Sequence, residues 1–183
     1  MKGHKVIAIV GMPGAGKGLV SEPARSRGVP VLICGDVIRE ETERRGLPLT
    51  PENMGSVMLA IRREEGPAVV AERLIPKIAS SASPIVVIEG VRSMDELSTL
   101  RRGHSVSVVA VHASPRTRYE RLISRGRSDD PKNWEDFAER DLRELSVGIG
   151  NVIALSEEML VNEGSVDELK AASELVVSKA TRK

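Results

Sequence analysis

Eight consecutive residues, Gly11-Met12-Pro13-Gly14-Ala15-Gly16-Lys17-Gly18, carry the densest chemistry in the sequence. Glycines let successive backbone N–H groups turn inward around an anion, and the start of a helix adds partial positive charge. A lysine closing such a run reaches terminal phosphate oxygens. The run follows an apolar stretch, Val6 to Val10, that reads as a buried parallel strand, and it opens a segment that reads as a helix. Strand, glycine-rich loop and helix together predict a phosphate-binding loop for a nucleoside triphosphate, ATP with Mg²⁺. The general pattern places Ser or Thr after the lysine, as a hydroxyl for Mg²⁺. Here Gly18 and Leu19 follow, and Ser21 lies too far along the helix to be taken as a replacement. The metal is therefore expected to be held by phosphates, water and a carboxylate elsewhere.

Two acid–arginine pairs follow later strands. Gly35-Asp36-Val37-Ile38-Arg39 comes after the second apolar run, and Glu89-Gly90-Val91-Arg92 ends the third. Arginine presents a planar fork that grips phosphate oxygens with two parallel bonds, so Arg39 and Arg92 are candidates for holding an acceptor. Glu89 is the candidate for Mg²⁺, directly or through water. A phosphate acceptor needs arginines and no base, whereas a hydroxyl acceptor benefits from a nearby carboxylate, and Asp36 would supply one. The spacing leaves both chemistries open. On a helix starting near Pro115, Arg118, Arg121 and Arg125 share one face while Tyr119, Leu122 and Ile123 lean to the other. Asp129 and Asp130 are expected to hold those arginines when no ligand is bound. The next helix shows an apolar stripe of Trp134, Phe137, Ala138, Leu142 and Leu145, read as packing, with Arg140 and Arg143 lying away from it, where they could face the cleft. His4, His104 and His112 show no metal-ligand spacing.

These motifs also carry a resemblance. The form Gly-x-Pro-Gly-x-Gly-Lys-Gly resembles the phosphate loop of adenylate kinases. Gly35-Asp36-x-x-Arg39 is similar to the adenylate-kinase signature whose arginine contacts the acceptor's phosphate, and Glu89-Gly90-Val91-Arg92 to the Asp-Gly-x-Pro-Arg motif. Arg121-Leu122-x-x-Arg125-x-Arg127, with Asp129-Asp130 and Arg140, resembles that family's arginine-bearing lid. Val161-Asn162-Glu163-Gly164-Ser165 with Glu168-Leu169 is similar to the last strand and final helix of dephospho-coenzyme A kinase. Along its whole length the chain looks most like an archaeal P-loop kinase-like family related to both enzymes, the match resting on Val91-Arg92-Ser93, His112-Ala113-Ser114-Pro115, Arg125-Gly126-Arg127 and Gly148-Ile149-Gly150. The resemblance implies transfer of the γ-phosphate of ATP to a nucleoside monophosphate or dephospho-coenzyme A. Arg121 and Arg127 would then join Lys17 in catalysis, and Arg125 and Arg140 would belong to the lid. The alternative is an ATP-binding regulatory or partner-binding protein that hydrolyses ATP slowly.

The elements that must position these groups follow from patterning. β-branched runs near Val6–Val10, Val29–Cys34, Ile85–Ile88, Val106–His112 and Met159–Val161 alternate with helical segments, which predicts an α/β three-layer sandwich around a five-stranded parallel sheet. Thr50-Pro51, Ser114-Pro115 and Asp130-Pro131 read as helix starts, and Ser93 to Glu96 and Ser165 to Glu168 as capping boxes. At 183 residues the chain fits one domain, 1–183. A helical insertion at about 36–80 would bind the second substrate, and a lid at about 126–146 would close over it. A net charge of +1 gives no argument for nucleic acid or a membrane surface. The single cysteine, Cys34, lies in an apolar run and reads as core. No stretch has the apolar length of a membrane span, and the first strand begins too early for a signal peptide, so a cytoplasmic location is expected.

Overall fold

The computed structural model describes residues 3–181. Strands β1 (Lys5–Val10), β2 (Val31–Ile33), β3 (Ile85–Glu89), β4 (Ser105–His112) and β5 (Glu158–Val161) form one sheet in the order β2-β3-β1-β4-β5. Every pairing is parallel. The helices are α1 (Lys17–Ser26), α2 (Cys34–Arg44), α3 (Pro51–Glu65), α4 (Val69–Ala79), α5 (Met94–Gly103), α6 (Pro115–Arg125), α7 (Trp134–Val147), α8 (Ile149–Ala154) and α9 (Val166–Thr181).

The period-two alternation of β1 divides the core. Val6, Ala8 and Val10 face the layer that holds α2, α3, α4, α5 and α8, through residues such as Ile61, Leu74, Leu100 and Val152. Ile7 and Ile9 face α1 and α9, against Val20, Ala24, Leu169 and Val177. Both faces of the sheet are covered, as a parallel sheet requires. The chain is an α/β three-layer sandwich. Because β1 is the middle strand, the loop leaving its carboxyl end lies where the crossovers part to either side, the position at which such sheets bind ligands.

Most helix starts are set by local chemistry. Thr50, Ser93 and Ser114 accept from the backbone N–H three residues on. Ser165 and Glu168 bond reciprocally, each side chain to the other's N–H. In the other box, Glu96 reaches past Ser93 to the N–H of Arg92, at 2.7 Å. Three helices, α2 to α4, fill the interval between β2 and β3.

Two expectations change. β2 is confined to Val31–Ile33, since Cys34 already begins α2. The helix expected from Asp130-Pro131 starts instead at Trp134, capped by Asn133, which accepts from Asp136 N–H at 2.8 Å. Asp130 is unavailable as a cap because its carboxylate is bound by Arg125 and by Arg127 N–H. The apolar stripe of α7 is also mostly uncovered: Phe137 is buried, whereas Leu142 is 68% exposed and Trp134 and Leu145 about half. Cys34 is core, and burial pushes its thiol up to about 12.

Candidate active site

The loop from Gly11 to Gly16 links β1 to α1, and Lys17 is the first residue of the helix. Gly14 and Gly16 have φ of 81° and 102°. A Cβ at Gly14 would lie 2.6 Å from the carbonyl oxygen of Arg118, and one at Gly16 would lie 2.3 Å from Asn162 Nδ2. Both backbone angle and crowding exclude a side chain at these positions. Lys17 Nζ donates to the carbonyls of Gly11 at 2.7 Å and Met12 at 3.2 Å. Desolvation, with Arg92 nearby, pulls its ammonium down from 10.5 to about 8. An anion in the loop would favour the charged form and raise the pKa again.

Buried groups brace the loop. Asn162, at the end of β5, donates from Nδ2 to Ala15 O at 2.8 Å. Its main-chain and side-chain oxygens accept from Arg121 Nη2 at 3.1 and 3.3 Å, which aims Arg121 beside the loop. Arg118 departs from the expected lid face. It donates to Pro13 O, Ala113 O and both oxygens of Asp141, and its guanidinium sits 5.0 Å from the Phe137 ring centroid. With 4% exposure it is a strut between loop and α7.

The residues that could meet Mg²⁺ differ from the general pattern. Gly18 supplies no hydroxyl, although open space surrounds its Cβ position. One turn on, the buried Ser21 donates to Glu89 Oε1, with its hydroxyl 3.1 Å from Gly18 O. Arg25 donates to the same Glu89 oxygen at 2.8 Å. Glu89 thus presents an oriented carboxylate on the wall of the phosphate cleft. Among the described residues no three His, Cys, Asp or Glu gather as a metal site. Magnesium takes one or two carboxylates plus phosphates and keeps several waters. This donor set fits such a metal.

The structure brings all the predicted charged residues together. Lys17, Asp36, Arg39, Glu89, Arg92, Arg121, Arg125, Arg127 and Arg140 line one cleft with the loop. Met12 and Ala15 do not line it, and the Ala15 side chain is core. A second, small cleft lies beyond, between α2, α3 and α7. The two share Gly35, Arg39, Arg92, Arg140 and Glu144 as walls. Arg39 donates to Asp36 at 2.6 Å and to Asp129 at 3.3 Å. Arg92 forks onto Glu144 through Nε and Nη2 and donates to Gly90 O at 3.1 Å. Burial pushes the Glu144 carboxyl up, but Arg92 overrides it and holds the group below the ordinary carboxylate range. Arg140 binds Asp129 O at 2.9 Å and Asp130 at 3.5 Å, and Arg125 also holds Asp130. Of the three α6 arginines expected on these acids, only Arg125 meets them. Arg118 goes to Asp141 and Arg121 to Asn162, while Arg39 of α2 and Arg140 of α7 take their places.

Sequence patterning missed Glu144, Asn162 and the bond from Ser21. Asn162 entered only through the resemblance of its segment. Nothing local marks Glu144, one acid among several on α7.

This geometry agrees with what the chain is similar to. A family model described as an AAA domain matches residues 10–138. A UPF0200 protein of Hyperthermus butylicus is 50% identical over 179 residues, covering 97% of this chain and 96% of that protein. Another, from Pyrococcus furiosus, is 48% identical over 178 residues, covering 94% and 96%. The chain belongs to the UPF0200 family. Its AAA-domain match spans the loop, both acid–arginine pairs and α6. Among solved structures, TT1252 from Thermus thermophilus has a TM-score of 0.62 at 22% identity, covering 97% of this chain and 98% of that one. A shikimate kinase from Bacteroides thetaiotaomicron has a TM-score of 0.61 at 16% identity, covering 95% and 98%. These likenesses show a P-loop kinase-like fold. Among the described residues, no helix is long and apolar enough to cross a membrane.

Proposed function

We propose that the chain is an ATP-dependent kinase that moves the γ-phosphate onto a small nucleotide or nucleotide-like acceptor. The observation that carries this reading is the shared wall. A cleft around the phosphate loop and a second cleft beside it share Arg39, Arg92 and Arg140 as walls. A protein that only bound ATP would need the first cleft and not the second.

In this reading the loop amides and Lys17 hold the β- and γ-phosphates. Glu89, steadied by Ser21 and Arg25, would help hold Mg²⁺, which would supply neutralisation of phosphate charge. Asp36, oriented by Arg39, would accept the proton of a hydroxyl acceptor, while Arg39 and Arg92 orient it. Arg121, Arg125, Arg127 and Arg140 would neutralise charge on the transferred group, an electrostatic contribution that grows toward the transition state. The segment 126–146 would act as the lid, with Asp129 and Asp130 yielding their arginines to arriving phosphates. The insertion 36–80 would form the acceptor side.

The test incubates the full chain with γ-labelled ATP, Mg²⁺ and a panel containing nucleoside monophosphates and dephospho-coenzyme A. Label on an organic acceptor is the expected result. Slow release of inorganic phosphate alone, unaffected by every acceptor and by Arg39→Ala, would favour the regulator.

A further inference from the structure

The arginines of the second cleft are not equivalent. Arg39, Arg92 and Arg140 each donate to protein acceptors, as described above. Arg143 lies one turn beyond Arg140 on α7; its carbonyl accepts from Ser146 Oγ at 2.8 Å, but its guanidinium donates to no acceptor among the described residues. Its ion pair is with the exposed Glu139, at 3.6 Å. The side chain is nevertheless only 19% exposed and lines the cleft.

A glycine makes the room that Arg143 occupies. A Cβ at Gly55, inside α3, would lie 2.5 Å from the Arg143 guanidinium carbon and 2.7 Å from Nε and Nη1. Glycine inside a helix is unfavourable relative to alanine. At this site the missing side chain is the space the guanidinium fills. The fork thus lies against helix backbone without its donors being taken by protein hydrogen bonds. Ile38, Met54 and Met58 line the same cleft as an apolar wall.

We propose that Arg143 binds an anionic group on the acceptor, remote from the atom that receives phosphate. The acceptor class is then a small molecule with an apolar or ring portion against Met54 and Met58 and a carboxylate or phosphate monoester at its far end. This deepens the kinase reading and rests on it for the word acceptor. The anion site itself can be measured without turnover.

The experiment fills the phosphate loop with a non-hydrolysable ATP analogue and Mg²⁺. The arginine Nε–H resonances of the full chain are then followed during titration with inorganic phosphate in one arm and acetate in the other. The Arg143 signal, assigned by its loss in Arg143→Gln, is expected to shift saturably in one arm, which identifies the anion. No saturable shift in either arm, or equal anion affinity in Arg143→Gln, overturns the proposal. Gly55→Ala is expected to weaken the same anion tenfold or more while Arg143 keeps its charge. With an acceptor found by the transfer assay, Arg143→Gln should raise its KM tenfold or more and leave the KM for ATP within twofold. Transfer with an unchanged acceptor KM would remove Arg143 from the site and leave the kinase reading intact. Anion binding at Arg143 with no transfer to any acceptor would do the reverse.

Discussion

The phosphate loop and the cleft beyond it are built in opposite ways. The loop is backbone: carbonyls of Gly11 and Met12 hold Lys17, and two left-handed glycines make room for Arg118 and Asn162. Its parts are neighbours in sequence. The second cleft is mostly side chain: Arg39 from α2, Met54 and Met58 from α3, Arg92 after β3, and Arg140, Arg143 and Glu144 from α7. A backbone cradle serves any nucleotide phosphate, whereas a side-chain cradle can be altered one residue at a time. Under the proposed kinase reading, donor chemistry would reside in the first region and acceptor choice in the second.

Four measurements press on that contrast, beginning with the largest effect. Arg92→Ala leaves Glu144 buried without its partner, and breaking such a pair typically costs about 3–5 kcal/mol. Urea unfolding should show a loss of that size, and Arg92→Ala with Glu144→Gln should recover part of it. An Arg92→Ala loss under about 1 kcal/mol would mean that the ion pair does not organise the cleft.

Lys17→Ala should act on chemistry alone. Loss of on the order of 10²-fold or more in transfer rate is expected. Stability should not fall, because the empty fold already disfavours the charged lysine. A destabilised variant would place Lys17 among the structural groups.

The lowered Lys17 pKa sets a pH dependence. Above about 8 the free protein releases this proton, while bound phosphates retain it, so ATP binding takes up a proton there. ATP affinity should fall roughly tenfold for a unit rise in pH above that point. The empty chain should show the opposite trend in stability. Between about 8 and 10.5 the unfolded lysine holds more protons than the folded one, so this group makes stability rise with pH. Calorimetry in buffers of different ionisation enthalpy measures the uptake, and no uptake at pH 9 would contradict the assignment.

The smallest effect is expected on the outer side of α7. Leu142 is 68% exposed, so Leu142→Ser should change stability by less than about 0.5 kcal/mol and leave both substrates' KM unchanged. A larger loss would show that this face is covered in solution.

Much of the fold was legible from patterning, and the reason is local. Each strand needed a β-branched run and each well-read helix start needed one capping side chain, as at Thr50, Ser93 and Ser114. The exceptions have tertiary causes. Asp130 fits a cap by residue type, yet Arg125 holds it from the preceding helix. Leu142 and Leu145 fit a buried stripe by spacing, but the structure leaves them 68% and 49% exposed. Arg118 fits an arginine face by period, while Asp141 and two backbone carbonyls draw it inward.

The sequence by itself determined the sheet's strands, the phosphate loop and the charged residues that gather around it. These depend on φ angles, alternation and capping, which act over a few residues. Only the tertiary structure decided how the charges are shared. Pairing of Arg92 with Glu144, bracing of Ala15 by Asn162, and the seating of Arg143 on Gly55 join groups separated by 52, 147 and 88 positions. Whether an arginine is consumed by a carboxylate or left with donors to spare depends on distances across the fold, and no spacing along the chain encodes them.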